Sequence, residues 1–136
     1  MSPIITGERV VLTFLKHNKK GKPIGKPVVS FVFQYSTAMN QGTTGNPNNY
    51  QVDWTSTKRV KRKLVAVLHP VAVTSATYDP TSHSVTVATS ARQTTFAKRG
   101  QITIVATPPA GVRSAAGAFL SGTTVFTILA KASGIA

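Results

Sequence analysis

Apolar and polar residues alternate with a period of two along much of this chain, which is the pattern of β-strands. The clearest case is residues 73–88, V-T-S-A-T-Y-D-P-T-S-H-S-V-T-V-A, where two alternating runs flank Asp79-Pro80-Thr81-Ser82. Pro80 fixes φ at the first corner of a turn, and the Asp79 side chain can bond the backbone two residues on. The segment therefore predicts a β-hairpin.

Similar runs predict eight strands in all, at 9–15, 28–35, 49–54, 64–68, 71–78, 85–90, 101–106 and 123–130. Segment 9–15 is apolar on both faces, which predicts a strand that is covered on both sides or lies inside a sheet. Residues 16–27 predict an exposed loop or an irregular edge, and residues 36–48 predict a loop with a helical turn near Met39. Residues 55–63 predict a polar, basic connection. Pro70 has no N–H for a ladder and is expected to interrupt the strand at 64–68.

The fold class that follows is all-β. Short strands separated by turn residues predict a sandwich of two antiparallel sheets, with a small barrel as the alternative. The length of 136 residues predicts one domain. We expect residues 1–7 to be a lead-in, 8–130 the sandwich and 131–136 a linker.

Charge narrows the range of partners. Sixteen Lys and Arg face only three acids, Glu8, Asp53 and Asp79, for a formal net charge of +13. Such a chain attracts acidic polymers. The candidate polyanion-binding residues form two clusters, the 58–63 cluster of Lys58, Arg59, Lys61, Arg62 and Lys63, and the 16–26 cluster of Lys16, Lys19, Lys20, Lys22 and Lys26. The alternative is that both are solvated edges that discourage strand-to-strand aggregation. Trp54 is expected to be buried, so we do not expect nucleic-acid bases to stack on it.

Catalysis is not expected. The chain has no cysteine, which excludes disulfides and cysteine-based sites. Asp79 and His83 are interpreted as turn residues, and His69 as structural. No nucleophile elbow, zinc-binding His pair or phosphate loop is present in the sequence. The sequence therefore predicts neither enzyme nor cofactor nor metal, and it contains no apolar stretch of membrane-spanning length or signal peptide.

Five segments carry a resemblance to a known family. In order they are F-V-F-Q-Y-S-T-A-M-N, G-N-P-N-N-Y-Q-V, A-T-Y-D-P-T-S-H-S-V-T-V, G-Q-I-T-I-V and G-V-R-S-A-A-G-A-F-L-S-G-T-T-V-F-T-I. Together they resemble the bacterial immunoglobulin-like modules of large secreted and cell-surface proteins, most closely those of planctomycetes. The resemblance implies a Greek-key sandwich of about seven to nine strands, in which Tyr50 and Tyr78 pack inward. Relatives often carry an acidic residue in the loop at 115–117. Here the loop has none, so calcium is not expected.

Two functions follow as expectations. The first is a non-catalytic structural or adhesive module of a larger extracellular or cell-surface protein, monomeric and flanked by other domains of the same polypeptide. The second is electrostatic, sequence-blind binding of acidic polysaccharide or nucleic acid. Retention on heparin or DNA that depends on salt separates the two.

Overall fold

The computed structural model describes residues 3–14, 16–24, 27–108 and 111–135. The strands are β1 (Ile5–Thr13), β2 (Lys16–His17), β3 (Pro23–Ile24), β4 (Val28–Tyr35), β5 (Tyr50–Val60), β6 (Lys63–Val71), β7 (Val73–Asp79), β8 (Ser84–Arg92), β9 (Gly100–Ile104) and β10 (Val125–Ile128). One short helix, α1 (Gln41–Thr44), and three 3-10 turns, Pro47–Asn49, Gln93–Phe96 and Ala130–Ala132, complete the elements.

The strands form two four-stranded antiparallel sheets. One sheet has the order β1-β4-β8-β7 and the other the order β10-β9-β5-β6. Among the described residues, the strands β2 and β3 pair with each other alone, as a small hairpin between β1 and β4. The predicted all-β sandwich is confirmed.

The core lies between the two sheets. Alternate residues of β4 and β8 are fully buried on one side, and residues of β5, β9 and β10 on the other. Phe31 meets Phe96 edge to face at 5.9 Å, and Phe33 meets Phe126 at 5.2 Å. Edge-to-face aromatic pairs add to the free energy gained from burial. The period-two pattern of the sequence therefore marks which face of each strand is in the core.

Three buried tyrosines close one end of the sandwich, which we call the tyrosine pole. The Tyr50 hydroxyl donates to the Thr44 carbonyl at 2.6 Å and lies 3.0 Å from the Tyr35 hydroxyl. The Tyr78 hydroxyl accepts the Met39 N–H at 2.8 Å. Burial raises the pKa of Tyr35 and of Tyr50, so both stay neutral donors. The expectation that Tyr50 and Tyr78 pack inward is confirmed.

The opposite end, which we call the basic pole, is marked by the pairs Trp54–Gly100 and Val28–Arg92. The first strand, β1, begins at the tyrosine pole, where Ile5 pairs with Tyr35. The last strand, β10, ends at the basic pole, where Ile128 pairs with Gly100. The chain therefore enters and leaves the sandwich at opposite poles.

The packed unit is longer at both ends than residues 8–130. Pro3 is buried and Ile5 packs against the core, within the segment expected to be a lead-in. Ala132 is 2% exposed and Ile135 packs against the core, within the segment expected to be a linker. Apolar residues in both short segments pack against the core, so the segments belong to the folded unit.

Two strand assignments differ from expectation for reasons of position. The apolar strand β1 is an edge strand rather than a central one, and Leu12 is 41% exposed. Strand β6 continues through Pro70, which pairs with Asp53, instead of stopping there. It can do so because β6 is also an edge strand, and the missing N–H lies on the side where the described residues supply no partner strand.

Candidate functional site

A two-stranded arm extends from the basic pole. Strands β5 and β6 pair continuously from Val52–Val71 to Val60–Lys63, whereas β9 pairs with β5 only as far as Trp54. Beyond that point, the described part of the chain adds no third strand. Residues 55–68 therefore form a β-ribbon that leaves the sandwich, and we call this ribbon the arm.

Residues 55–63 were expected to connect two strands, but most of them are part of strand β5. Thr55, Ser56 and Thr57 continue β5, and only Lys61 and Arg62 remain as a two-residue turn. Thr is a good strand former, and each of these residues faces an apolar residue of β6 across the ladder. The pairing was not visible in the sequence because the polar strand has no alternation of its own.

The turn at the end of the arm has an unusual composition. Lys61 has φ of 49° and Arg62 has φ of 70°, so both lie in the left-handed region. Two-residue hairpin turns of this kind favour Asn-Gly or Asp-Gly, because a Cβ costs about 1–2 kcal/mol there. Long cationic side chains thus occupy the two positions of the arm where they suit the backbone least. Such strain points to a use for the side chains other than stability.

The 58–63 cluster is exposed on all sides of the arm. All five of its side chains are exposed, and in the described part of the chain none of them forms an ion pair. Lys58 lies opposite Val65, Arg59 opposite Leu64 and Lys63 opposite Val60. Their aliphatic stems can therefore rest beside apolar side chains while the charges remain in water. The structure brings these five candidate residues together at one tip.

The 16–26 cluster is at the same pole on a different hairpin. Strand β1 ends where Thr13 pairs with Val28, and the β2–β3 hairpin follows from there. Lys19, Lys20 and Lys22 are exposed in its turn, where the Asn18 side chain accepts the N–H groups of Lys20 and Lys22 at 2.9 Å. The Lys16 side chain and the whole of Lys26 lie outside the described residues. The two clusters belong to hairpins from different sheets.

Four further cations join this pole. They are all exposed and were not among the candidate residues predicted from the sequence: Arg92, Lys98, Arg99 and Lys131. The Arg99 carbonyl accepts the Thr55 N–H at 3.0 Å, which places Arg99 at the root of the arm. In the sequence, Lys98 and Arg99 are adjacent, whereas Arg92 and Lys131 are isolated cations that no charge run marks.

Of the three acids, the buried Asp53 alone lies near the basic pole, so exposed charge is segregated along the sandwich. Asp79 pairs with Ser84 in the hairpin at the tyrosine pole, and Glu8 lies on β1 opposite Phe33. Asp53 is only 3% exposed. The exposed surface of the basic pole therefore carries cations almost alone, and a field of one sign concentrates anionic polymers near it.

The root of the arm is held by a stacked pair. Trp54 and His69 face each other at 4.0 Å between ring centroids, and the Ser56 hydroxyl lies 2.8 Å from His69 Nε2. Trp54 was expected to be buried, but it is only partly so, because it lies where β9 ends and the arm begins. A shallow depression beside it is lined by Thr94 and Lys98. The pair thus joins side chains of β5 and β6 at the base of the arm.

The residues considered for chemistry in the 73–88 hairpin form its turn. An Asp79 carboxylate oxygen accepts the Thr81 N–H at 2.9 Å, as expected. The His83 carbonyl accepts the Tyr35 N–H at 2.8 Å, and His83 itself has φ of 52°. Among the described residues, no group of three or more His, Asp or Glu could hold a metal ion. The helices in that same part of the chain are all too short or too polar to cross a membrane.

Replacing the strained turn by Lys61→Asn with Arg62→Gly is expected to stabilise the fold by about 1–2 kcal/mol, because the new residues suit the left-handed region. The same change should weaken binding to heparin. Chemical denaturation and heparin retention measure the two effects. The control, Lys58→Gln with Lys63→Gln, removes the same charge outside the turn and should weaken binding without the gain in stability. Equal stability of the two variants would contradict the strain argument.

The chain matches no protein-family model, no curated protein and no solved structure. The resemblance to bacterial immunoglobulin-like modules therefore stays a prediction. What is known of the site comes from the geometry of the arm and the basic pole.

Proposed function

We propose that the chain binds linear acidic polymers through its basic pole, by charge and without reading their sequence. The observation that carries the proposal is the tip of the arm, where Lys61 and Arg62 occupy backbone positions that disfavour them. Of the two functions expected from the sequence, this geometry favours polyanion binding.

The arrangement suits a flexible polyanion. A projecting ribbon reaches phosphate or sulfate groups without requiring the whole sandwich to approach them. Arg and Lys side chains neutralise such groups, and the counterions released supply most of the free energy of binding.

The test compares two triple variants with equal net charge. One is Lys61→Gln, Arg62→Gln, Lys63→Gln in the arm, and the other is Lys19→Gln, Lys20→Gln, Lys22→Gln in the β2–β3 hairpin. Both are applied to immobilised heparin and to a duplex DNA column at physiological salt. We expect the arm variant to lose affinity at least tenfold and the hairpin variant to lose much less, because the arm gathers five exposed cations at one tip.

Three results decide the outcome. Equal losses in the two variants would mean that net charge alone, rather than the arm, attracts the polymer. Elution of the unmodified chain below physiological salt would overturn the proposal. Unchanged thermal unfolding of both variants is the control for folding, since surface substitutions normally change stability by less than about 0.5 kcal/mol. Heparin and DNA distinguish sulfated polysaccharide from nucleic acid.

A second candidate function is a spacer or adhesive module in a larger extracellular or cell-surface protein. Two observations favour it. Lettering the eight sandwich strands in chain order as A, B, C, C′, D, E, F and G gives sheets ABED and GFCC′, the order typical of immunoglobulin-like domains. The chain also enters and leaves at opposite poles, as modules linked in series do. This role is compatible with polymer binding, and it would stand alone if neither column retained the chain.

A further inference from the structure

The outer edge of β6 is an apolar strand edge that no strand covers in the described part of the chain. Its middle reads Leu64-Val65-Ala66-Val67-Leu68, a palindrome centred on Ala66. Leu64 is 70% exposed, and Val65 and Leu68 are each 45% exposed. Long apolar strand edges pair with other strands unless a protein blocks them.

The hydrogen bonds fix which backbone groups face this edge. The Thr55 N–H bonds the Arg99 carbonyl, so it points away from β6. Thr55 and Leu68 are ladder partners, and they therefore form a pair without mutual hydrogen bonds. With a period of two, the backbone N–H and C=O groups of Leu64, Ala66 and Leu68 point to the open edge.

The same parity explains where the open segment ends. Pro70 is the next residue whose backbone faces outward, and it has no N–H to offer. On the other side, Arg62 belongs to the turn. The pairing segment is thus limited to Leu64–Leu68. Lys63 precedes it and Pro70 follows it, and both are residue types that natural proteins place on exposed strand edges.

We propose that two copies of this chain pair through this edge as an antiparallel dimer, with the two-fold axis at Ala66. In this register Ala66 faces Ala66 of the second copy, Leu64 faces Leu68, and Val65 faces Val67. Each copy contributes the outward N–H and C=O groups of three residues. The sheet β10-β9-β5-β6 of one copy then joins the same sheet of the other copy, and together they form one continuous eight-stranded sheet. The dimer replaces the monomer expected from the sequence, and it does not depend on the polymer-binding proposal.

The side chains are self-complementary in this arrangement. Opposite residues of an antiparallel pair lie on the same face, so each Leu64 meets the Leu68 of the other copy, and the two leucine pairs lie on either side of the Ala66 pair. Val65 and Val67 of both copies form a row on the other face. Shifting the register by two residues would place Pro70 or Arg62 in the pairing segment. The palindrome therefore selects a second copy over an unrelated strand.

The charges permit the dimer. Antiparallel pairing about Ala66 sets the two turns at opposite ends of the ribbon. At about 3.4 Å per residue, the Arg62 residues of the two copies are about 27 Å apart. The Debye length at physiological salt is about 8 Å, so repulsion between the two tips is screened.

The first test is the mass of the particle by sedimentation over a concentration series, with Ala66→Pro and Thr57→Pro. Ala66 and Thr57 face each other in the ladder, and their N–H groups point to opposite edges of the arm. Proline therefore removes one outward donor in each variant and spares the bonds between β5 and β6. We expect the wild type and Thr57→Pro to show twice the chain mass of 14.4 kDa, and Ala66→Pro to lose the dimer.

The second test does not depend on whether proline is tolerated. The chain has no cysteine, so Ala66→Cys provides a single thiol that can only form a disulfide between two copies. Diamide, which takes up the two hydrogen atoms, should crosslink Ala66→Cys because paired positions bring the two sulfurs within bonding distance. Thr57→Cys is the control and should stay largely uncrosslinked.

Four results would overturn the proposal. They are a wild type that is monomeric throughout the series, a folded Ala66→Pro that is still dimeric, a folded Thr57→Pro that is monomeric, and crosslinking of Thr57→Cys as fast as Ala66→Cys. A monomeric wild type that cosediments with vesicles of anionic phospholipid would assign the apolar edge to a lipid surface instead.

Discussion

Raising the salt concentration from about 50 to 200 mM is expected to weaken the binding of this chain to duplex DNA about 500-fold. The 58–63 cluster supplies five exposed cations. Each phosphate that they neutralise releases condensed counterions, and the logarithm of the affinity falls by about 0.9 per contact for each tenfold rise in salt. Five contacts therefore give a slope of about −4.5. Fluorescence anisotropy of a labelled duplex at several salt concentrations measures this slope.

The arm variant with Gln at 61, 62 and 63 sharpens this prediction. It keeps two cations of the cluster, Lys58 and Arg59, so its slope should fall to about −1.8 and its loss over the same salt range to about tenfold. The hairpin variant with Gln at 19, 20 and 22 should keep a slope close to that of the wild type. A common slope for the two variants would show that the tip makes no distinct contacts with phosphate.

The second large effect is in the core. Phe96→Ala is expected to lower the free energy of unfolding by about 3–5 kcal/mol, because it leaves a cavity that the surrounding residues fill only in part. Phe96 is fully buried and meets Phe31 at an interplanar angle of 86°. A Cβ on Gly100 would come within 2.8 Å of Phe96 Cδ1, so this glycine is what lets β9 approach the ring.

The measurement is urea denaturation of the wild type and of Phe96→Ala. Val125→Ala is the control, since Val125 is also apolar and is 47% exposed, and its stability should change by about 0.5 kcal/mol or less. A loss below about 1 kcal/mol in Phe96→Ala would mean that the basic pole can collapse around the missing ring. The substitution also reports on the arm, because the Phe96 and Arg99 carbonyls lie on the turn that holds Thr55.

Sequence reasoning identified the elements with strong local signals. The strands β4, β7 and β8 were predicted almost to the residue, because each is a run of strand-forming residues bounded by turn or loop residues. The Asp79 turn was likewise predicted, since an Asx-type hydrogen bond needs only neighbouring residues. The 58–63 cluster was visible as a charge run, which is a property of the chain itself.

Tertiary structure decided what those signals mean. Phe96 stood alone among polar residues, and its burial depends on Phe31 and Gly100, which are distant along the chain. Pro70 looked like the end of a strand, but an edge position leaves its missing N–H without consequence. The strand character of residues 55–60 came from pairing with β6, and no local pattern announced it.

By itself, the sequence determined that this protein is an all-β sandwich with a strong excess of positive charge, because strand periodicity and composition are local quantities. Only the tertiary structure decided that the charge gathers at one pole, that five of its cations sit on a projecting arm, and that the palindrome at 64–68 faces an open edge. Those features depend on which strands pair and on which strand is left at the edge, and pairing between distant segments is set by the packing of the whole core.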